Sequence, residues 1–207
     1  MKVLLVNGSP HEKGCTYRAL CEVAKALEEN GVETEIFHIG KKPIAGCLGC
    51  GACAKLGKCV TDDTVGVFAQ KAAEADGFVF GSPVYYASAA GQMVSFMDRL
   101  FYSAGKQLAF KPAAAVASAR RAGTVATFDV LNKYFTINNM PVVSANYWNG
   151  VHGANNTPAD VEQDGEGLQT MRLLGNNMAW LLKCLALGKE AGIEPQKETK
   201  IRTNFIR

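Results

Sequence analysis

Short apolar runs and longer stretches with a helical repeat alternate along the whole chain. Lys2 to Val6 (KVLLV) is apolar without alternation and is stopped by Asn7-Gly8, the pattern of a parallel strand buried on both faces. After a polar loop, Asn7 to Thr16, the residues Leu20, Val23, Ala24 and Leu27 fall at i, i+3, i+4 and i+7. That spacing lays one apolar helix face against a sheet. Asn30-Gly31 predicts a left-handed helix end. Glu33 to Ile39 alternates polar and apolar residues, as an edge or near-edge strand does. Gly40 to Asp63 carries little periodicity and reads as a long loop, a feature that compact domains usually keep for function. A helix over about Thr64 to Ala75 precedes the buried strand Gly77 to Gly81 and the loop Ser82 to Ala90. Met93, Val94, Met97, Leu100 and Phe101 then describe a helical face. Lys111 to Ser118 predicts the fourth strand and Val142 to Tyr147 the fifth. The last helix carries the clearest stripe: Met171, Leu174, Met178, Leu181, Leu182 and Leu185.

Five strands alternating with five helices imply an α/β three-layer sandwich around a five-stranded parallel sheet. Right-handed crossovers leave few topologies, and the flavodoxin-like order 2-1-3-4-5 is the expected one. At 207 residues the chain is read as a single domain, with a Cys-rich loop at 40–63 and a C-terminal tail at 192–207. In such sheets a ligand sits outside the carboxyl ends of the strands, where the order reverses. Attention therefore falls on the loops after strands one, three and four.

Composition narrows the classes. The formal charge of +3 is small, and the tail mixes Lys189, Lys197, Lys200, Arg202 and Arg207 with Glu190, Glu194 and Glu198. A nucleic-acid partner, which calls for basic residues clustered on one face, is not expected. No apolar run approaches the ~20 residues of a membrane span. Asn7 to Pro10 interrupt the first apolar run, so no signal peptide is read and the expected location is the cytoplasm. The seven cysteines then read as thiols, metal ligands or catalytic groups rather than a disulfide framework.

The loop Gly8-Ser9-Pro10-His11-Glu12-Lys13-Gly14-Cys15-Thr16 runs from a strand into a helix N-terminus. Backbone N–H groups and the helix dipole there favour an anion, and the Ser9 and Thr16 hydroxyls can donate to it. Neither a Walker ending nor a G-x-G-x-x-G spacing is present. A plain strand-to-helix turn with Thr16 as cap is the alternative. In Ser82-Pro83-Val84-Tyr85-Tyr86-Ala87-Ser88, adjacent tyrosines cannot both enter a core, so at least one ring must reach the surface and can cover an aromatic ligand. Ser118-Ala119-Arg120-Arg121-Ala122-Gly123 places two arginines on the same rim, where ordinary solvated arginines are the alternative.

These three loops resemble those of the flavodoxin-like NAD(P)H-dependent FMN reductases. GSPHEKGCT is similar to their phosphate loop, and SPVYYASAAGQMVSFMDR to their isoalloxazine loop and following helix. SARRAG is similar to the segment that flanks the flavin ring. The resemblance implies FMN as cofactor and NAD(P)H as co-substrate. It assigns Ser9, His11, Lys13, Cys15 and Thr16 to the phosphate, and Pro83, Val84, Tyr85, Tyr86 and Arg120 to the ring, with Ala119 and Arg121 beside them. His11 and Cys15 stand where relatives commonly carry Arg and Asn. A histidine loses its charge near neutral pH, which implies weaker and more pH-dependent phosphate binding.

Cys47-x2-Cys50-x2-Cys53-x5-Cys59 sits on the long loop among Gly46, Gly49, Gly51 and Gly57. Three thiolates at this spacing can wrap one face of a cubane that a fourth closes. Zinc, which prefers two separated C-x2-C pairs, and uncommitted thiols are the alternatives. Within the FMN-binding group the spacing resembles the iron–sulfur flavoproteins, which implies a [4Fe-4S] cluster on these four cysteines. Cys21 and Cys184 lie on apolar sides of helices and are expected in the core. Cys15, at a helix N-terminus, is expected to have a lowered pKa.

The reaction that follows is hydride transfer from a nicotinamide to flavin, then delivery to a small-molecule or protein acceptor such as a flavin, a quinone or an electron-transfer protein. The cofactor carries the chemistry, so no catalytic side chain is assigned. Arg120 and Arg121 would stabilise negative charge on the reduced flavin. Tyr147, Trp148 and His152 could wall an acceptor pocket, although interface or core packing is the preferred account of the two aromatics. A flavodoxin-like carrier without its own substrate and a zinc-binding module without flavin are the rival classes. The family resemblance implies a homodimer or homotetramer.

Overall fold

The computed structural model describes residues 1–199 together with 201, 203 and 205, so Lys200, Arg202 and Arg207 of the tail lie outside the described residues. The central parallel sheet is built from β1 (Lys2–Asn7), β2 (Glu33–His38), β3 (Gly77–Tyr85), β5 (Ala113–Ala119) and β6 (Gly150–His152). A two-residue strand, β4 (Ser88–Ala89), folds back antiparallel on the end of β3. The order is β2-β1-β3-β5-β6, which is the expected order once the small β4 is set aside. β2 is an edge strand, as its alternation predicts.

Side-chain alternation on the strands divides the core in two. Leu4, Val6, Phe78, Phe80, Ala113, Ala115 and Ala117 face one layer, made by α3 (Thr64–Glu74), α4 (Gly91–Leu108) and α5 (Thr124–Ile137). Val3, Leu5, Val79, Ala114 and Val116 face the other, made by α1 (Cys15–Glu29) and α7 (Gly165–Glu190). Phe68 anchors the first layer, with Phe37 and Phe96 edge-on at 5.2 and 5.4 Å. Two short helices, α2 (Cys53–Leu56) and α6 (Pro158–Glu162), complete the described elements.

The fifth strand departs from expectation. Val142 makes only an isolated bridge to Ala113, and the ladder with β5 resumes at Gly150–His152. A run rich in β-formers therefore stays mostly outside the ladder: the Ala113 N–H donates to the Pro141 carbonyl at 2.9 Å and the Val143 N–H to the Ala113 carbonyl at 2.8 Å, and the chain then bends at 146–149 before rejoining β5. α5, for which the sequence reading sets out no helical face, buries Phe128, Leu131 and Phe135 and exposes Asp129, Lys133 and Thr136. In α7 the stripe Met171, Leu174, Met178 and Leu182 is buried, but Leu185 lies beyond the sheet and is exposed. Cys184 shares that exposed end, and Cys21 is only half-buried, so neither is a core thiol.

α1 and α7 approach closely at Gly175, where a Cβ would stand 2.7 Å from the Val23 carbonyl and from Ala26 Cβ. Beside this contact Glu22 is buried and accepts from Arg172 Nη1 at 2.7 Å and Arg18 Nη1 at 2.9 Å. Burial alone would push its carboxyl up, but the two guanidinium groups prevail and hold it below the ordinary carboxylate range. Its contribution to stability is therefore complete above the unfolded-state pKa of ~4.3 and is lost as pH falls through the lower folded value. Glu22→Gln is expected to destabilise the protein by roughly 1–3 kcal/mol at neutral pH, the scale of a lost hydrogen bond to a charged group. Thermal melts of both proteins between pH 3 and 7 check this: the gap should close below about pH 4. A gap independent of pH would show that the ion pairs contribute nothing.

Candidate functional site

The carboxyl ends of β1, β3 and β5 open into three loops that touch one another. The first loop is pinned from below, with the Gly8 N–H donating to the Gly81 carbonyl at 2.8 Å and Ser9 N–H to Asn7 Oδ1 at 3.1 Å. His38 Nε2 meets the Ser9 carbonyl at 2.8 Å from β2. A Cβ at Gly8 would stand 2.6 Å from Met93 Sδ and 2.8 Å from the Gly81 carbonyl, so only glycine lets the loop lie this close to β3. α1 then begins with no side-chain cap and no acidic residue in its first turn. Its first N–H groups are thus left for an external acceptor, which is the arrangement that binds phosphate.

The predicted side chains divide. His11 and Lys13 are exposed on the loop. The Ser9 hydroxyl is buried and accepts from the His11 N–H at 3.1 Å, which shapes the loop. The Thr16 hydroxyl is 2.7 Å from the Ser118 hydroxyl, tying the first loop to the end of β5. Thr16 is therefore no helix cap, and it keeps one hydrogen-bonding direction free. Cys15 corrects the expectation of a lowered pKa. Its thiol is buried and turned to the Thr157 carbonyl at 3.5 Å, with Asp160 nearby. Burial and then the Asp160 carboxylate push it up, so the dipole of α1 does not make it reactive. What Cys15 offers an anion is its place in the uncapped first turn.

The second loop is a two-residue hairpin. Tyr86 and Ala87 have φ of 50° and 57°, the left-handed pair that such a turn requires. Non-glycine residues in this conformation cost roughly 1–2 kcal/mol each, a strain typical of functional sites. The result is that Tyr86 is fully exposed at the tip and Tyr85 is 44% exposed, while Pro83 remains buried beside Ser118 in the sheet. Val84 is half-buried and faces the third loop. There Ala119 is buried, Arg120 and Arg121 are exposed, and neither arginine has a carboxylate partner among the described residues. Gly123, at φ +97°, seals the contact, since a Cβ would fall 2.7 Å from Val84 Cγ1 and 2.8 Å from Ala87 Cα. The Arg121 carbonyl lies 3.2 Å from His152 Nε2, which places His152 on the same rim. Tyr147 and Trp148 stack edge-to-face at 5.0 Å and are more than half exposed, so they are not core residues.

The Cys-rich loop follows β2 and packs beside the start of α4, where Gln92 Nε2 donates to the Gly40 carbonyl at 2.8 Å. All four cysteines of the run line one cavity, together with Leu48, Val60, Thr61, Arg99, Tyr102 and Ser103. Gly49, Gly51 and Gly57 have positive φ and wind the loop around it. The thiols are free and share the cavity without meeting: among the described residues no three Cys, His, Asp or Glu side chains converge closely enough for a metal ion. The donor set is nevertheless all sulfur, on a loop whose glycines allow it to close. Arg99 closes the segment that resembles the isoalloxazine loop and its following helix, but the sequence reading gives it no role. It sits among Phe96, Met97 and Leu100 on the buried side of α4, and a charged residue set into that apolar helix face is the signal that could have marked it.

Known proteins resemble most of this chain. The profile of the NADPH-dependent FMN reductase family matches residues 1–155. An iron–sulfur flavoprotein of Methanocaldococcus jannaschii is 35% identical over 192 residues, covering 89% of this chain and 99% of that one. One from Clostridioides difficile is 33% identical over 119 residues, covering 56% and 53% respectively. Among solved structures, RosB with a bound riboflavin-phosphate derivative superposes with a TM-score of 0.70 at 16% identity, over 100% of this chain and 92% of that one. An archaeal flavodoxin gives 0.60 at 17% identity, over 88% and 99%. The strand order, the three joined loops and these matches agree: the chain belongs to the NADPH-dependent FMN reductase family.

Proposed function

We propose that this protein is an oxidoreductase that binds one FMN across the three loops and passes reducing equivalents from NADH or NADPH to an acceptor, with a [4Fe-4S] cluster on Cys47, Cys50, Cys53 and Cys59. The observation that carries the flavin reading is the uncapped, carboxylate-free start of α1, joined through Thr16–Ser118 and Gly123 to two further exposed loops. The observation behind the cluster is the shared cavity of four thiols, and the relatives' name, iron–sulfur flavoprotein, agrees with it. When bound, FMN supplies hydride acceptance from a reduced nicotinamide, and the cluster supplies one-electron transfer.

The chain's own residues do the rest. The first-turn N–H groups of α1 hold the phosphate, with Ser9 shaping the loop, Lys13 adding charge from solvent and His11 offering its ring beside it. Tyr85 and Tyr86 offer aromatic faces to a flat ring, and Val84 gives it an apolar floor. Arg120 and Arg121 bring uncompensated positive charge to the rim, which favours an anionic reduced ring.

Flavin released by heat from the purified protein should be FMN in about stoichiometric amount, because one phosphate loop is built and no dinucleotide fingerprint is present. NADH and NADPH should each be tested for bleaching of the bound flavin. Recovery of FAD, or of no flavin after reconstitution, would overturn the reading. No helix among the described residues is long and apolar enough to cross a membrane.

A further inference from the structure

Arg99 is 2% exposed, and each of its five N–H donors has an acceptor on the Cys-rich loop. Nη1 donates to Asp63 Oδ2 at 2.6 Å and to the Ala45 carbonyl at 3.4 Å. Nη2 donates to Asp63 Oδ1 at 2.9 Å and to the Thr61 carbonyl at 3.2 Å. Nε donates to Cys59 Sγ at 3.4 Å. One guanidinium thus holds the chain just before the first cysteine of the run and just after the last, and it donates to the last sulfur itself.

A purely structural anchor has no need of this chemistry. Burying an ion pair is costly, and an apolar residue of similar size often serves stability as well. Asp63 already satisfies the charge through a bidentate contact, and it also caps α3 by accepting from the Val65 N–H at 3.1 Å. The Nε–sulfur contact is the part that stability does not require. The other cations of the loop, Lys41, Lys42, Lys55 and Lys58, are exposed, so solvent and salt screen them. Arg99 is the buried positive charge at the thiol cavity.

From this geometry we infer that Arg99 is a positioning residue for the cysteine site: it orients Cys59 as the closing ligand and raises the reduction potential of the cluster bound there. The inference rests on the cluster reading given above. Four thiolates concentrate negative charge, and an added electron increases it. A buried cation with an N–H directed at one sulfur favours the more negative, reduced form, since charge and hydrogen bonds to sulfur set cluster potentials. Because α4 starts directly after the flavin hairpin, the same helix carries both the hairpin and this anchor.

The test compares wild type, Arg99→Gln and Asp63→Asn after anaerobic reconstitution. It reads iron per chain, FMN per chain and the cluster potential by EPR-monitored redox titration with mediators. In Arg99→Gln the reduction equilibrium of the cluster should fall about tenfold, ~59 mV for one electron, with FMN content unchanged. Asp63→Asn removes a negative charge and keeps the Nε–sulfur bond, so its potential should stay or rise. A role in loop anchoring alone would move both variants the same way, and that outcome overturns the inference, as does an unchanged potential in Arg99→Gln. Loss of iron in Arg99→Gln with retention in Asp63→Asn supports the positioning of Cys59, while loss in both overturns it. If Arg99→Gln fails to fold, the paired variant Arg99→Met with Asp63→Asn leaves no unpaired charge and should still lower the potential. The drop should be less than Arg99→Gln would give, because the Nε–sulfur bond is lost while a carboxylate is removed with the guanidinium; an unchanged or raised potential overturns the inference. Wild-type protein that takes up no iron overturns the cluster reading and this inference together, and it is recognised before any variant is compared.

Discussion

Cys50→Ala is expected to abolish iron binding, taking anaerobically reconstituted protein from about four irons per chain to background. Cys50 lies between Gly49 and Gly51, both at positive φ, and is exposed on the loop that surrounds the thiol cavity. Three remaining thiols cannot complete a four-ligand site, and no carboxylate or histidine lines the cavity to replace the fourth. FMN content should be unaffected, since no residue of the three flavin loops lines the cavity that Cys50 shares. Cys184→Ala is the matched control: its thiol is equally free but stands exposed on α7, and iron should remain. Iron analysis and EPR of the reduced protein read the result directly. Equal iron in wild type and Cys50→Ala would remove this residue from the site. Zinc in place of iron would replace the redox assignment with a structural one.

Gly123→Ala should weaken FMN binding at least about tenfold, a loss of roughly 1.4 kcal/mol or more. The residue sits at φ +97°, which costs an alanine roughly 1–2 kcal/mol. Its Cβ would also press on the Ala87 backbone, which cannot yield as a flexible side chain does. The third loop must therefore retreat from the hairpin that displays Tyr85 and Tyr86. Overpacking of this kind adds roughly 1–3 kcal/mol, shared between the apo fold and the site. Titration of apo-protein with FMN, beside thermal melts, separates the two shares. Gly66→Ala on α3 is the control, because a Cβ there meets nothing within 4 Å. If Gly123→Ala binds FMN as wild type does, the contact between the loops is not part of the flavin site.

Much of the candidate site was legible because each of its loops is local. A buried strand, a glycine-bounded loop and an amphipathic helix succeed one another within 30 residues, and each leaves its own pattern. The tyrosine pair is a good case: two adjacent rings after Pro83 cannot both be buried, and both prove exposed. The positions that failed depend on partners far along the chain. The Cys15 thiol looks activated from its place at the start of α1, yet burial and then the Asp160 carboxylate push its pKa up, and the carbonyl it is turned to, that of Thr157, lies 142 residues away.

The sequence by itself determined the parallel sheet, the order in which loops meet its carboxyl edge, and the spacing of the four cysteines. Hydrophobic periodicity records which face of each segment avoids water, and in a right-handed βαβ succession that is nearly enough to place the loops. Only the tertiary structure decided which polar groups face one another. It left Cys184 in solvent past the end of the sheet and moved the last strand to Gly150–His152. It also set a buried arginine of α4 against a cysteine 40 residues earlier. Such pairings leave no periodic trace, because a charged residue on an apolar helix face looks like an interruption until the chain that satisfies it has been packed alongside.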